Sequence, residues 1–416
     1  MTNSRTRVVV TGMGVMSCVG TDLETFWGSL IAGKSGISKI SSFDPSDLPC
    51  QIAGEISEFD VLDYMPKKEA RRMARSTHFA MAAAIEAMKD SGLPDPLPNL
   101  ERVGVYFGTG IGGMERAVEG LEVLRVQGLA RVNPFFMPSV LPNMPAFYVT
   151  RHFGAVGPNL TITTACATGS QIIGEGAQAI RNGWADVIIA GGTEAMIEHW
   201  AVGGFSVLRA IPFNFNDEPE RASRPFDALR EGFVFSEGSG CVVLESLEHA
   251  EGRGARIYAE VAGYASSSDA FHIAAPHPDA EGAIRTMDWA IKDAGIELEE
   301  IEYINAHGTS TQLNDATETM AIKKLFGERA MEIPISSTKS MMGHAMGASG
   351  TIEAIVCILT IRNGMIHPTI NYENPEEGLD LDYVPNQARE ADIDIALSNS
   401  FGLGGQNACL VLKRLD

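Results

Sequence analysis

Along the chain, short runs of apolar and β-branched residues alternate with longer segments whose apolar positions recur every three to four residues. Val8-Val9-Val10 opens the series and runs into Gly12 and Gly14, which reads as a strand followed by a glycine-rich turn. Residues 67–90 read as one helix, with Met73, Phe79, Ala80, Ala83, Ala84 and Met88 on its apolar face. Lys67, Lys68, Arg71, Arg72 and Arg75 crowd its beginning. The stretch from Asn159 to Thr164 alternates β-branched and apolar residues as a buried strand does. Ile172, Ile173, Ala177 and Ile180 then mark a helix. Ser223–Phe233 is a polar, proline-containing loop leading to a strand at Gly238–Glu245. Ser349–Ile361 is an apolar helix with Glu353 as its ionisable exception, and Ile395–Leu412 reads as two strands around a glycine-rich turn.

Two stretches of this pattern resemble each other. Ala84–Gly92 leads through Leu100 and a hydrophobic strand to Gly110, and Ala290–Gly295 leads through Leu298 and a hydrophobic strand to Gly308. The openings Val8–Gly14 and Ile257–Gly263 match more loosely. The pattern predicts an α/β protein of two related halves joined near residues 250–256, residues 1–252 and 253–416. Parallel sheets with buried central strands are expected in each.

A chain of 416 residues, 45% hydrophobic and 20% charged, has enough material for two such cores. Its net charge of −21 excludes nonspecific nucleic-acid or anionic-membrane binding, although a local basic patch can still attract an acidic partner. The six cysteines are scattered without CxxC spacing, so neither a zinc site nor a disulfide framework is expected. Met1–Arg7 leads into the first strand with no apolar leader region, and no uninterrupted apolar run reaches the roughly 18 residues of a membrane span. A reducing cytoplasm is the expected location.

Candidate chemistry centres on Cys166, placed where strand gives way to helix. A helix N-terminus favours a thiolate, so Cys166 reads as a nucleophile; the alternative is a small buried hydrophobe. The Val8–Gly14 segment lacks GxGxxG spacing and a following acidic residue, so close strand–helix packing is preferred to a dinucleotide site. Of nine histidines, His307 and His344 lie in Gly/Ser/Thr-rich turns at the ends of elements. With Cys166 they form a constellation suited to acyl transfer.

Four ordered blocks carry a family resemblance: Thr163-Thr-Ala-Cys-Ala-Thr-Gly169, Asn305-Ala-His-Gly-Thr-Ser-Thr311, Ser337-Thr-Lys-Ser-Met-Met-Gly-His344 and Asn399-Ser-Phe-Gly-Leu-Gly-Gly405. With Gly191-Gly-Thr-Glu194 and Arg224-Pro-Phe-Asp227, they make essentially the whole chain resemble the β-ketoacyl-acyl-carrier-protein synthases. These are the type II condensing enzymes of dissociated bacterial fatty-acid synthesis. The resemblance implies the thiolase fold: two βαβαβαββ halves in five layers (αβαβα), assembled as a homodimer. It implies decarboxylative condensation of malonyl-acyl-carrier protein with an acyl chain held on Cys166. His307 and His344 would serve decarboxylation, and Lys339, paired with Glu353, would keep the site's charge balanced. Backbone N–H groups of Cys166 and Phe401 would form the oxyanion hole, with Phe401 also a gate. Phe233 would position the malonyl group, and Thr309 and Thr311 the phosphopantetheine arm. Ile111 and Phe205 would line the acyl pocket, and Arg71, Arg72, Arg131 and Arg209 would dock the acyl-carrier protein. No cofactor and no metal are implied, because the substrates ride on the carrier's arm.

Ser236, Gln312, Leu403 and Gln406 depart from the family's usual residues without removing a catalytic group. A ketosynthase of a polyketide or specialised acyl pathway would share the catalytic residues. A degradative thiolase would call for a second cysteine where Phe401 stands, and a non-elongating partner subunit would lack Cys166. A metal hydrolase finds no carboxylate–histidine pair at ligand spacing.

Overall fold

The apolar runs resolve into ten strands: β1 (Val8–Ser17), β2 (Val103–Gly108), β3 (Asn159–Leu160), β4 (Val187–Glu194), β5 (Gly238–Ser246), β6 (Ala259–Ser268), β7 (Tyr303–Asn305), β8 (Ile335–Ser336), β9 (Ile395–Gly402) and β10 (Gln406–Lys413). They form one sheet in the order β8-β7-β9-β10-β6-β1-β5-β4-β2-β3. The computed structural model describes residues 5–415. Residues 1–4, on which the reading of the extreme N-terminus partly rests, and Asp416 lie outside the described residues.

From the seam outward, each half has the same order and sense. Its first strand pairs antiparallel with its fifth and the fifth antiparallel with its fourth; the fourth, second and third then run parallel. The sheets are therefore mixed rather than parallel as expected, because the last two strands of each half run antiparallel. The seam is short: Val9 and Val10 of β1 pair antiparallel with Glu260 and Ala259 of β6.

Helices complete five layers. α1 (Arg75–Ser91) covers the outer face of the first half and α3 (Glu281–Ala294) that of the second. α2 (Thr168–Arg181) and α4 (Ser349–Asn363) pack on each other between the halves. α4 is buried from Ser349 to Ile361, which explains its all-round apolar sequence. The matched halves meet matched steric demands. A side chain at Gly12 would place its Cβ 2.2 Å from the carbonyl oxygen of Ala87 in α1, and one at Gly263 would come 2.2 Å from that of Ala290 in α3. At both positions glycine lets strand and helix backbones touch. The expected turn after Val10 is accordingly absent, and β1 continues to Ser17.

Two further expectations are corrected. The helix over 67–90 is broken into a short turn, Lys67–Ala70, and α1, because Ala74 is extended (φ −74°, ψ 158°). The Arg75 N–H is capped by Glu115 Oε1 at 3.0 Å, a tertiary cap with no local sequence signature. The buried strand expected over 159–164 is only the two-residue edge strand β3, paired with β2, with Asn159 exposed and Leu160 half-buried. Alternation in a sequence reads alike for an edge and a centre; the neighbouring strand decides.

Candidate active site

The second halves of both helix-entry segments make the same sharp turn. Ala165 adopts φ +50°, the turn Ala165–Ala167 follows, and α2 starts at Thr168. In the other half Met346 adopts φ +43°, the turn Met346–Ala348 follows, and α4 starts at Ser349. A left-handed conformation at two non-glycine residues is strained and needs its surroundings to hold it. Here the two helix starts press together: a Cβ on Gly169 would lie 2.5 Å from the Thr351 nitrogen, and one on Gly350 would lie 2.5 Å from the Ser170 nitrogen. One turn presents Cys166; the other presents Gly347.

His344 reaches Cys166 across this junction. Its Nε2 lies 3.0 Å from Cys166 Sγ, while Nδ1 is held 2.9 Å from Ser349 Oγ. The His344 backbone is clamped by Val234 and Ser236, whose loop also carries Phe233, packed edge-on to the imidazole at 5.4 Å. His307 stands edge-on to His344 with ring centroids 5.5 Å apart, and Phe401 packs 5.8 Å from His307. Ligand atoms of Cys166, His307 and His344, all three buried, lie within 4.8 Å of one another, a spacing at which such groups could also hold a metal ion. Among the described residues the other such set, His277, Asp279 and Glu281, is largely exposed.

Burial sets the electrostatics. It pushes the Cys166 thiol up to about 11, with Glu194 pushing the same way, while the Leu403 backbone N–H and the Lys339 charge pull down. The thiolate expected from the helix terminus alone is thus outweighed, and the resting group is a thiol. Burial and Lys339 hold both His307 and His344 well below the usual imidazole range, so both are neutral at pH 7. Lys339 is 1% exposed and ion-pairs with Glu353, also 1% exposed. Burial lifts Glu353 to about 7 against the pull of Lys339.

The remaining candidate residues spread outward from this cluster. Cys166, His307 and His344 line a cavity of about 460 Å³ together with Phe205, Phe233, Thr309, Thr311, Met346, Phe401 and Arg209. The Thr309 and Thr311 hydroxyls are 2.9 Å apart. Ile111 does not line that cavity but packs against the apolar cluster of Cys166, Phe233 and Met346. Arg209 is exposed at the mouth; Arg71 and Arg131 are exposed elsewhere, and Arg72 lies over the Phe135 ring at 4.3 Å.

Several supporting residues were not singled out as site residues from the sequence. Glu318 accepts from the backbone N–H groups of His307 and Gly308, both at 2.8 Å, and from Asn399 Nδ2 at 3.1 Å, fixing the His307 turn. Ser349 orients His344. The polar loop Ser223–Phe233 is interior rather than superficial: Asp227 is fully buried, accepting from Arg224 Nε at 2.9 Å and from the backbone N–H of Glu373 at 2.8 Å. Glu318 and Asp227 lie in polar stretches that read as solvated, so nothing local marked them as buried.

The sequence matches two family models, the β-ketoacyl synthase N-terminal domain over residues 5–250 and the C-terminal domain over residues 258–373. It is 47% identical over 408 residues to the 3-oxoacyl-[acyl-carrier-protein] synthase 2 of Synechocystis sp., covering 98% of each chain. It is 48% identical over 410 residues to the protein of the same name from Staphylococcus aureus, covering 99% of each. Among solved structures, the ishigamide ketosynthase/chain length factor superposes with a TM-score of 0.92 at 36% identity, covering 99% of this chain and 100% of that one. A type II polyketide ketosynthase bound to its acyl-carrier protein superposes at 0.91 with 36% identity, with the same coverage.

Proposed function

The chain belongs to the β-ketoacyl synthase family, as a condensing enzyme of the acyltransferase class, and on that premise we propose how its residues divide the reaction. The reaction is the decarboxylative condensation of a malonyl thioester with an acyl chain in fatty-acid elongation. The observation that carries the division of roles is the contact of Cys166 Sγ with His344 Nε2 beside His307, at the foot of the cavity lined by Thr309, Thr311 and Phe401.

In the first half-reaction an acyl-carrier arm enters past Thr309 and Thr311. Neutral His344 takes the Cys166 proton as sulfur attacks the thioester carbonyl. Backbone N–H groups of Cys166 and Phe401 receive the oxyanion, and as it collapses the carrier sulfur leaves as the thiol with the proton that His344 took. The acyl chain lies against Phe205 and toward Ile111. In the second, a malonyl arm enters and Phe233 confines its carboxylate. The carboxylate leaves as CO2, and its bonding electrons become an enolate whose oxygen accepts N–H bonds from His307 and His344, the neutral His344 ring now carrying its proton on Nε2 while Nδ1 accepts from Ser349 Oγ. An oriented donor of this kind is worth about 3 kcal/mol. The carbanion attacks the acyl carbonyl, the carbon–sulfur bond to Cys166 breaks, a 3-oxoacyl chain two carbons longer departs on the carrier, and a proton from solvent restores the Cys166 thiol. The kinetics are ping-pong.

The partners follow from the same reading: an acidic acyl-carrier protein at Arg71, Arg72, Arg131 and Arg209, and a second copy of the chain. The free side of β3 and the exposed side chains of Leu121, Leu124, Met137 and Phe147 support a homodimer. No helix of the described residues is long and apolar enough to cross a membrane, and a cytoplasmic location fits the unpaired cysteines among them. A polyketide pathway is the second reading, supported by the polyketide ketosynthase neighbour at 36% identity, against 47–48% for the fatty-acid enzymes. The test supplies malonyl-carrier and a ladder of acyl-carrier primers, with products followed by mass spectrometry. Elongated 3-oxoacyl products from wild type and none from Cys166→Ala are expected. Equal product from both proteins would remove Cys166 from the acyl-bearing role.

A further inference from the structure

One buried carboxylate has no part in these steps. Glu194 ends β4, is fully buried, and is held by neutral donors from two other segments. Thr109 Oγ1 donates to its Oε1 at 3.0 Å, and the backbone N–H of Gly110 donates to Oε2 at 2.7 Å. The N–H of Ile111 also points to it, and the N–H of Gly347 donates to Oε2 at 3.1 Å from the turn Met346–Ala348. Thr109 in turn accepts the Gly112 N–H at 3.1 Å, so the whole turn after β2 hangs on this carboxylate.

The packing is as tight as the bonding. A Cβ on Gly110 would sit 2.5 Å from Glu194 Oε2, and one on Gly347 would sit 2.5 Å from the Gly110 nitrogen. Neither glycine has a left-handed backbone, so space around the carboxylate, not conformation, demands them. The charge also works against the nucleophile, since it pushes the Cys166 thiol up. Thiol activation therefore does not explain Glu194; its geometry does. The two turns it joins carry Ile111 and Met346, both against the apolar cluster that contains Cys166.

We propose that Glu194 is a positioning residue that sets the longest acyl chain accepted, by tying the turn of Ile111 to the turn of Met346. This rests on the reading of Cys166 as the acyl-bearing residue. Ile111 does not line the open cavity but packs against the apolar cluster around Cys166, so a chain lengthening from Cys166 into that cluster meets Ile111, and the fixed turn resists. In Glu194→Gln the side-chain amide faces N–H donors, the turn loosens, and Ile111 yields to longer chains.

The experiment measures kcat/KM over the ladder of acyl-carrier primers, and separately malonyl decarboxylation without primer, for wild type, Glu194→Gln and Thr109→Val. The ratio of the longest to the shortest accepted primer is expected to rise about tenfold in Glu194→Gln, the scale of one methylene in a pocket, and about threefold in Thr109→Val. Decarboxylation should change less than about threefold, because it needs no acyl chain. An unchanged ratio, or equal losses in both assays, would overturn the proposal. If Glu194→Gln does not fold, Thr109→Val decides alone: no change in its ratio overturns the proposal. Wild type that elongates no primer would instead defeat the condensing reading, and this proposal with it.

Discussion

The protonation state of Cys166 makes a sharp prediction. With the thiol pushed up to about 11, the resting thiolate fraction at pH 7 is about 10⁻⁴, a cost of about 5 kcal/mol at 1.36 kcal/mol per unit. Loss of hydration around the buried sulfur dominates, and the helix-terminal location does not offset it. Alkylation by iodoacetamide requires the thiolate, so its rate at Cys166 should rise tenfold per pH unit from 6 to 10 without levelling off. The assay follows the Cys166 peptide by mass spectrometry in buffers of constant ionic strength. Lys339→Met removes a positive charge that pulls the thiol down, so the same profile should shift to higher pH. Acylation, by contrast, should proceed near neutral pH because His344 takes the proton at 3.0 Å; His344→Ala should slow it by about 10²–10⁴. A profile levelling off between pH 7 and 9 would mean a resting thiolate, and the desolvation reasoning would be wrong.

Three further outcomes test other parts of the site. Ser349→Ala deletes the partner of His344 Nδ1, and the loss of one hydrogen bond of about 1.4 kcal/mol should lower kcat about tenfold with little change in KM. A kcat within twofold of wild type in steady-state decarboxylation would show that Ser349 does not orient the ring. Lys339→Met and Glu353→Gln each strand a buried partner and should each cost about 3–5 kcal/mol in urea denaturation. The double variant should cost several kcal/mol less than their sum, and additivity would deny the coupling. Reversing Arg71 and Arg72 to glutamate should slow turnover of carrier-bound substrate about tenfold at low salt while leaving a soluble thioester mimic unaffected. Equal losses would place docking elsewhere.

By itself the sequence determined the repeated strand–helix order, the apolar faces of α1 and α2, the buried length of α4 and the β9–β10 hairpin. Each is written in local periodicity and in glycine stops. Its four motif blocks also pointed to Cys166, His307, His344 and Lys339 through their likeness to the β-ketoacyl synthases, and the fold brings the first three of these side chains together. What lay beyond it was spatial. Cys166 and His344 are 178 positions apart, and only the crossing of α2 and α4 brings them within 3.0 Å. That the Asn159 stretch is an edge, that α1 starts at Arg75 under a cap from Glu115, and that Glu194 joins two distant turns all depend on partners remote in the chain. The sign of the Cys166 shift shows the difference most plainly. The local signal, a helix start, favours a thiolate, but desolvation depends on every neighbour packed around the sulfur. Only the tertiary structure assembles those neighbours.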